Sequence, residues 1–137
     1  MSDAVEFVSQ AVRRRLLRDG ASALGESEWH VLRVSHLLNA VGRGTLERLL
    51  ADTPISELID VADGLDAIGA PNAGERLRTA TEKLAVANDP GNGLARADVV
   101  AASARLLAEQ LGAMRGAIEL QLLEFAAHHR DRTLAVD

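Results

Sequence analysis

No cysteine occurs in the 137 residues. That excludes disulfides, thiol nucleophiles and thiolate metal sites, and it fits a reducing compartment. Tyrosine is absent, tryptophan occurs once and phenylalanine twice. The chain therefore has almost no aromatic faces on which single-stranded nucleic acid could stack. Lys83 is the only lysine among fifteen basic residues. There is no run of about 18 apolar residues, so no membrane-spanning segment is expected. Residues 1–7 (MSDAVEF) carry no basic segment and lead into no long apolar stretch, so no signal peptide is expected. The expected location is the cytoplasm. Isoleucine occurs four times and no segment alternates as a strand would.

What is present is alanine (24 residues), leucine and charge in helical patterns. A chain of 14.6 kDa is the size of one domain, and residues 1–137 are read as a single helical domain. Val5, Val8, Val12 and Leu16 step by three and four, which predicts a helix over 4–18 with Ser2 or Asp3 as its cap. A small-residue linker follows at 21–26. A second helix is expected over 27–42, capped by Ser27. It carries Val31, Val34, Leu37, Leu38 and Val41 on one arc, and Trp29 with Leu32 on another side. Apolar residues on two sides suggest a central helix with several neighbours. A short helical piece is expected at 45–51.

Thr53 and Pro54 predict the next start, with the proline at the first helical position. Ile55, Leu58, Ile59, Ala62, Leu65 and Ile68 form its apolar stripe, and Gly69 ends it. Asn72 with Glu75 reads as a capping-box pair for a helix carrying Leu77, Leu84 and Ala85 inward. A stop follows at 88–91. Residues 98–131 read as one long helix or two, because Gly112 and Gly116 interrupt an otherwise continuous apolar pattern. The pair marks either a break or a close helix contact, within the chain or between two chains. The tail 133–137 is expected to fray. The fold class is all-α, a single compact bundle of about five to seven helices with a core of leucine and small residues.

The net charge of −5 is unevenly placed. Residues 1–48 carry seven bases and six acids, and residues 76–137 carry eight of each. Residues 49–75 hold six acids and no base. No domain-wide basic stripe exists, which argues against direct nucleic-acid binding. On the helix from Ile55, Glu57, Asp60 and Asp63 fall opposite the apolar stripe, and Asp66 falls within it near the helix end. Asp52, Glu57, Asp60, Asp63 and Asp66 are the candidate partner-binding residues. They are either a solvated acidic face or an anionic surface for a basic protein.

Catalysis finds no support in the spacing. Outward carboxylates do not form a pocket. His30 and His36 are six apart, and His128 and His129 are adjacent, so no histidine pair has metal-ligand spacing. Ser35 and His36 are helix neighbours that do not face each other. No catalytic residue, metal or cofactor is expected. Arg13, Arg14 and Arg15 with Arg18 complement a helix C-terminus. An alternative small-molecule or enzymatic site is Trp29, His36, Asn39 and Arg43, near one side of the second helix. There a Trp–Arg pair could hold an anion or a planar group.

Leu65-Asp66-Ala67-Ile68-Gly69-Ala70-Pro71-Asn72-Ala73-Gly74-Glu75, followed by Leu77-Arg78-Thr79-Ala80, resembles a family of small all-helical bacterial domains that includes DNA-mimic proteins. Family members have an Asn-Gly-Gly-aromatic turn and a Gln-aromatic-aromatic-x-Asn helix upstream. In this chain Arg43-Gly44-Thr45-Leu46-Glu47-Arg48-Leu49 occupies that region, keeping one glycine and none of the aromatics. Leu122-Leu123-Glu124-Phe125-Ala126-Ala127-His128-His129-Arg130 is similar to the family's last helix. The resemblance covers about residues 24–131. It implies a helical fold, no catalysis, dimerisation, and an acidic surface that occupies the groove of a DNA-binding protein. The expected function is a non-enzymatic protein-interaction module. Its expected partner is a basic protein, with a DNA-binding regulator as one candidate. A homodimer is a further expectation.

Overall fold

The structure, a computed structural model, describes residues 3–20, 25–88 and 95–128. Among these residues there are six helices and no strand. They are α1 (Asp3–Asp19), α2 (Glu26–Arg43), α3 (Leu46–Asp52), α4 (Ile55–Ala67), α5 (Pro71–Ala87) and α6 (Arg96–His128). This is the all-α bundle that the helical spacing predicts. No helix among the described residues is long and apolar enough to cross a membrane. Asp3 is the first described residue of α1, and Ser2, the linker at 21–24, the stop at 89–91, His129 and the tail 133–137 lie outside what is described.

The core is leucine. Leu37, Leu38, Leu50, Leu58, Leu65, Leu77, Leu84, Leu107, Leu111 and Leu122 are all essentially inaccessible to solvent. Each such side chain contributes roughly 1.5–3 kcal/mol through burial. None of the three aromatic residues is fully buried. α2 is the central helix and packs on α1, α3, α4 and α6. α4 and α5 make the most extensive helix pair, and α6 lies against α1, α2, α3 and α5.

Two glycines set the sharp turns. Gly44 adopts φ 71° after α2, and Thr45 N–H donates back to the Ala40 carbonyl at 2.9 Å. Gly69 adopts φ 94° after α4, and Ala70 N–H donates to the Leu65 carbonyl at 2.8 Å. Both are left-handed terminations that a side chain would strain. Gln121 on α6 donates to the Gly69 carbonyl at 2.6 Å and ties the α4–α5 turn to the long helix.

Local details differ from the sequence expectations in instructive ways. α2 is capped at Gly25, not Ser27. The Glu28 carboxylate reaches back to accept the Gly25 N–H at 3.2 Å, and Ser27 is buried in the first turn. α4 begins at Ile55, because Pro54 keeps an extended ψ of 146° and serves as the cap position. α5 begins at Pro71 behind Ala70, so Asn72 lies inside the first turn. Proline suits that first position since it has no N–H to leave unpaired. Ile59, expected in the buried stripe, is 41% exposed. Ala85 is exposed too, and Ala73, Gly74, Ala80 and Thr81 take the inward positions of α5.

α6 is one helix of 33 residues. Gly112 and Gly116 do not break it, and among the described residues no neighbouring element approaches them. Both are exposed, and a Cβ added at either meets nothing within 4 Å. Gly112→Ala and Gly116→Ala should therefore each stabilise the protein by about 0.5–1 kcal/mol, the ordinary helix-interior gain. Thermal unfolding should rise by about 2–4 °C per substitution. A fall instead would place a second chain against this face.

Candidate functional site

α2 presents two stripes. Val31, Val34 and Leu38 face the core and are fully buried. On the other side Trp29, Leu32 and Arg33 are half-buried and His36 is exposed. The helices flanking this second stripe do not cover it. α1 packs on α2 with Arg13, Leu16 and Leu17 along one edge, and α4 packs on α2 with Glu57, Asp60 and Val61 along the other. The space between them is a cavity of about 860 Å³. A second hollow of about 350 Å³ continues it past Asn39, Arg43, Arg48 and Asp52. His36, Leu49 and Thr53 line both, so the two are one trough. From Trp29 to Arg43 it follows α2 for about 21 Å at 1.5 Å per residue.

The floor is mostly apolar, with Arg33 and His36 among Trp29, Leu32, Leu37, Leu49 and Leu58, and the rims are charged. The Arg33 guanidinium lies 5.3 Å from the Trp29 ring centroid, a stacked pair worth about 0.5–1 kcal/mol at an exposed site. Arg13 on the α1 side, and Glu57 and Asp60 on the α4 side, have no ion-pair partner among the described residues. Leu17 stands on the lip with 86% of its surface in solvent. At its Trp29 end the trough thus has a base on the α1 wall and two acids on the α4 wall, and past His36 it is lined by Arg43 and Arg48 with Asp52.

The structure sorts the sequence-predicted acids into two groups. Glu57, Asp60 and Asp52 line the trough. Asp52 also lies 3.7 Å from Arg48, an exposed pair that adds little stability. Asp63 and Asp66 are elsewhere, both bonded to Arg78 Nη2 at 2.7 and 2.6 Å. The hydrogen bond that Arg78 donates to Asp66, then the one it donates to Asp63, pushes the Arg78 pKa up and holds the guanidinium charged. One guanidinium thus serves both carboxylates and offsets one of their two charges from within the fold. The acidic run is therefore not a continuous free surface. Trp29, His36, Asn39 and Arg43 all line the trough, Trp29 at one end and Arg43 at the other.

The arginine cluster near the end of α1 is dispersed. Arg13 goes to the trough, Arg15 pairs with Glu28 at 3.1 Å, and Arg18 bonds Asp19. Ser35 is buried while His36 is exposed, so they do not form a nucleophile–base pair. His30 packs edge-on to Phe125 with ring centroids 6.3 Å apart. Among the described residues no group of three or more His, Asp or Glu side chains is placed to hold a metal ion. Sequence reasoning missed Arg13, Leu17 and Val61 as trough residues, because they come from two helices far apart in the chain. The one visible signal was the second apolar stripe of α2. It missed Arg78 because no local pattern links position 78 to positions 63 and 66.

Comparison with protein-family models, with curated proteins and with solved structures finds no match to this chain.

Proposed function

We propose that the protein is a non-enzymatic interaction module that receives a protein partner in the trough along α2. The supporting observation is the uncovered apolar stripe between two oppositely charged walls. Exposed apolar surface of this kind, rimmed by polar groups, marks interaction sites. A basic segment of the partner would lie against Glu57 and Asp60. Mimicry of nucleic acid is the less favoured form of this reading. Duplex DNA carries a charge per about 1.7 Å, or roughly twelve over a 21 Å trough. The trough offers three acids interleaved with Arg13, Arg33, Arg43 and Arg48.

Leu32→Glu tests the reading, because it places a charge on the half-buried floor. A partner captured from native lysate and then purified should quench or shift the fluorescence of Trp29, the only tryptophan. Leu32→Glu, checked for an unchanged circular dichroism spectrum, should bind that purified partner at least about tenfold more weakly, as a central contact residue does. Neutralising Glu57 and Asp60 to Gln and Asn should flatten the salt dependence, since exposed charges are screened over about 8–10 Å. Equal affinity of wild type and Leu32→Glu would remove the trough from the function.

A further inference from the structure

We infer that the occupant of the trough is an amphipathic α-helix of about four turns from another protein, basic along the edge that meets α4 and acidic along the edge that meets α1. This rests on the interaction-module reading and specifies its partner. Four observations support it. The trough is about 21 Å long, which is the rise of about fourteen helical residues. Its base is the stripe Trp29, Leu32, Arg33 and His36, at the spacing against which i, i+3, i+4 and i+7 side chains of a docked helix pack. Along the half from Trp29 to Leu37 its walls are the helices α1 and α4, with Arg13 on one and Glu57 and Asp60 on the other, all without ion-pair partners among the described residues, and along the half from His36 to Arg43 its wall is α3 with Arg48 and Asp52. And the surrounding surface is helical, with no strand edge among the described residues.

The last point decides between helix and extended peptide. An extended chain laid in an apolar trough needs partners for its backbone N–H and C=O groups, and helical walls, whose own backbone groups are already paired, offer no matching row of them. A helix satisfies its own backbone and presents only side chains. Pairing of this face with itself in a second copy is disfavoured by shape, because two concave faces leave a gap between them. A small molecule is disfavoured because the trough is open along its length, whereas small-ligand sites bury about 70–90% of the ligand.

The bipolar rim also sets direction. Turning a helix end for end with its apolar face down exchanges its two edges. One direction then matches both walls and the other opposes both.

The experiment uses the whole chain as target for a phage-displayed library of random 18-residue peptides, with Leu32→Glu as counter-target. Enriched sequences are expected to show apolar residues at i, i+3, i+4 and i+7, with basic and acidic residues on opposite edges. Synthetic versions should lose binding when a central residue is replaced by proline. They should bind Glu57→Arg/Asp60→Arg at least about tenfold more weakly. Both replaced residues are exposed, so the variant keeps its fold. Both walls of that variant are basic, so reversing the peptide does not restore the match. Trough-dependent peptides without helical spacing, or tolerant of central proline, would overturn the helix and leave the module reading standing. Failure of any peptide to distinguish wild type from Leu32→Glu would overturn both. Sedimentation that shows a concentration-dependent dimer abolished by Glu57→Arg/Asp60→Arg would overturn the foreign helix in favour of a second copy.

Discussion

Arg15→Met should cost about 3–5 kcal/mol of stability, the largest effect expected from any single change to the ion pairs of this fold. The reason is Glu28. Its side chain is only 2% exposed, yet it carries a carboxylate. Arg15 Nη1 lies 3.1 Å from both carboxylate oxygens, and the Gly25 N–H donates to one of them at 3.2 Å. Methionine keeps most of the aliphatic packing of the arginine stem and removes the charge. The carboxylate is then left in a dry site with a single backbone donor. Neutralising it should recover most of the loss, so Arg15→Met/Glu28→Gln is expected to be much closer to wild type than Arg15→Met alone. The glutamine amide in the double variant would retain an oxygen for the Gly25 N–H and so keep the start of α2 capped. Urea unfolding with an unchanged m-value is the measurement. A single variant that loses less than about 1 kcal/mol would mean that water reaches Glu28. A double variant no better than the single would mean that the stem of Arg15, not its charge, is what matters.

Gly74→Ala should destabilise by about 1–3 kcal/mol, the usual range for overpacking. The sign is opposite to that expected at Gly112 and Gly116, although the chemistry is the same. At Gly74 a Cβ would overlap the Asp66 carboxylate and come within 3.0 Å of the Ala62 carbonyl oxygen. The oxygen in the way is Asp66 Oδ1, and its partner Oδ2 holds the 2.6 Å bond from Arg78, so the carboxylate must turn against that bond to clear the methyl group. The Ala62 oxygen is backbone and could move only with α4 itself. α4 and α5 make the most extensive helix pair of the fold, so parting them disturbs Leu58, Leu65 and Leu77 beneath. Thermal unfolding of the three glycine variants side by side tests this directly. A rise in the midpoint for Gly74→Ala would show that α4 and α5 stand farther apart in solution.

The contrast among the three glycines shows where sequence reading runs out. Gly112-x-x-x-Gly116 looks like a helix-contact motif, yet both positions face solvent. Gly74 lies in no such motif, yet it is where two helices meet closely. Spacing within one helix says which residues share a face. It does not say what lies opposite that face, because the opposing residues arrive from elsewhere in the chain. The caps follow the same rule. Ser27 has a suitable side chain for capping, but Glu28 reaches the Gly25 N–H, and its place in the structure is set by Arg15 on another helix.

The trough illustrates the point for function. The acidic positions Glu57 and Asp60 and the stripe Trp29, His36, Asn39 and Arg43 were both legible, as two unrelated candidate sites. α1 and α4 flank the same side of α2, so the two become parts of one surface. Asp63 and Asp66 belong to the same acidic run in sequence but not to that surface. They sit beyond Asp60 on α4, where Arg78 of α5 comes within 2.7 Å.

Sequence by itself determined that the chain is all-helical, where most helices lie, and many of the leucines that are inside, though not Leu46 and Leu50 of α3. These depend on 3.6-residue periodicity, on glycine and proline punctuation and on side-chain hydrophobicity, all of which are local. Tertiary structure alone decided which charges are free and which are paired, which glycine is crowded, and which apolar stripe of α2 lacks a cover. Those properties depend on distances between residues that are remote in the chain, and a 3 Å ion pair or a 3 Å clash has no counterpart in local spacing.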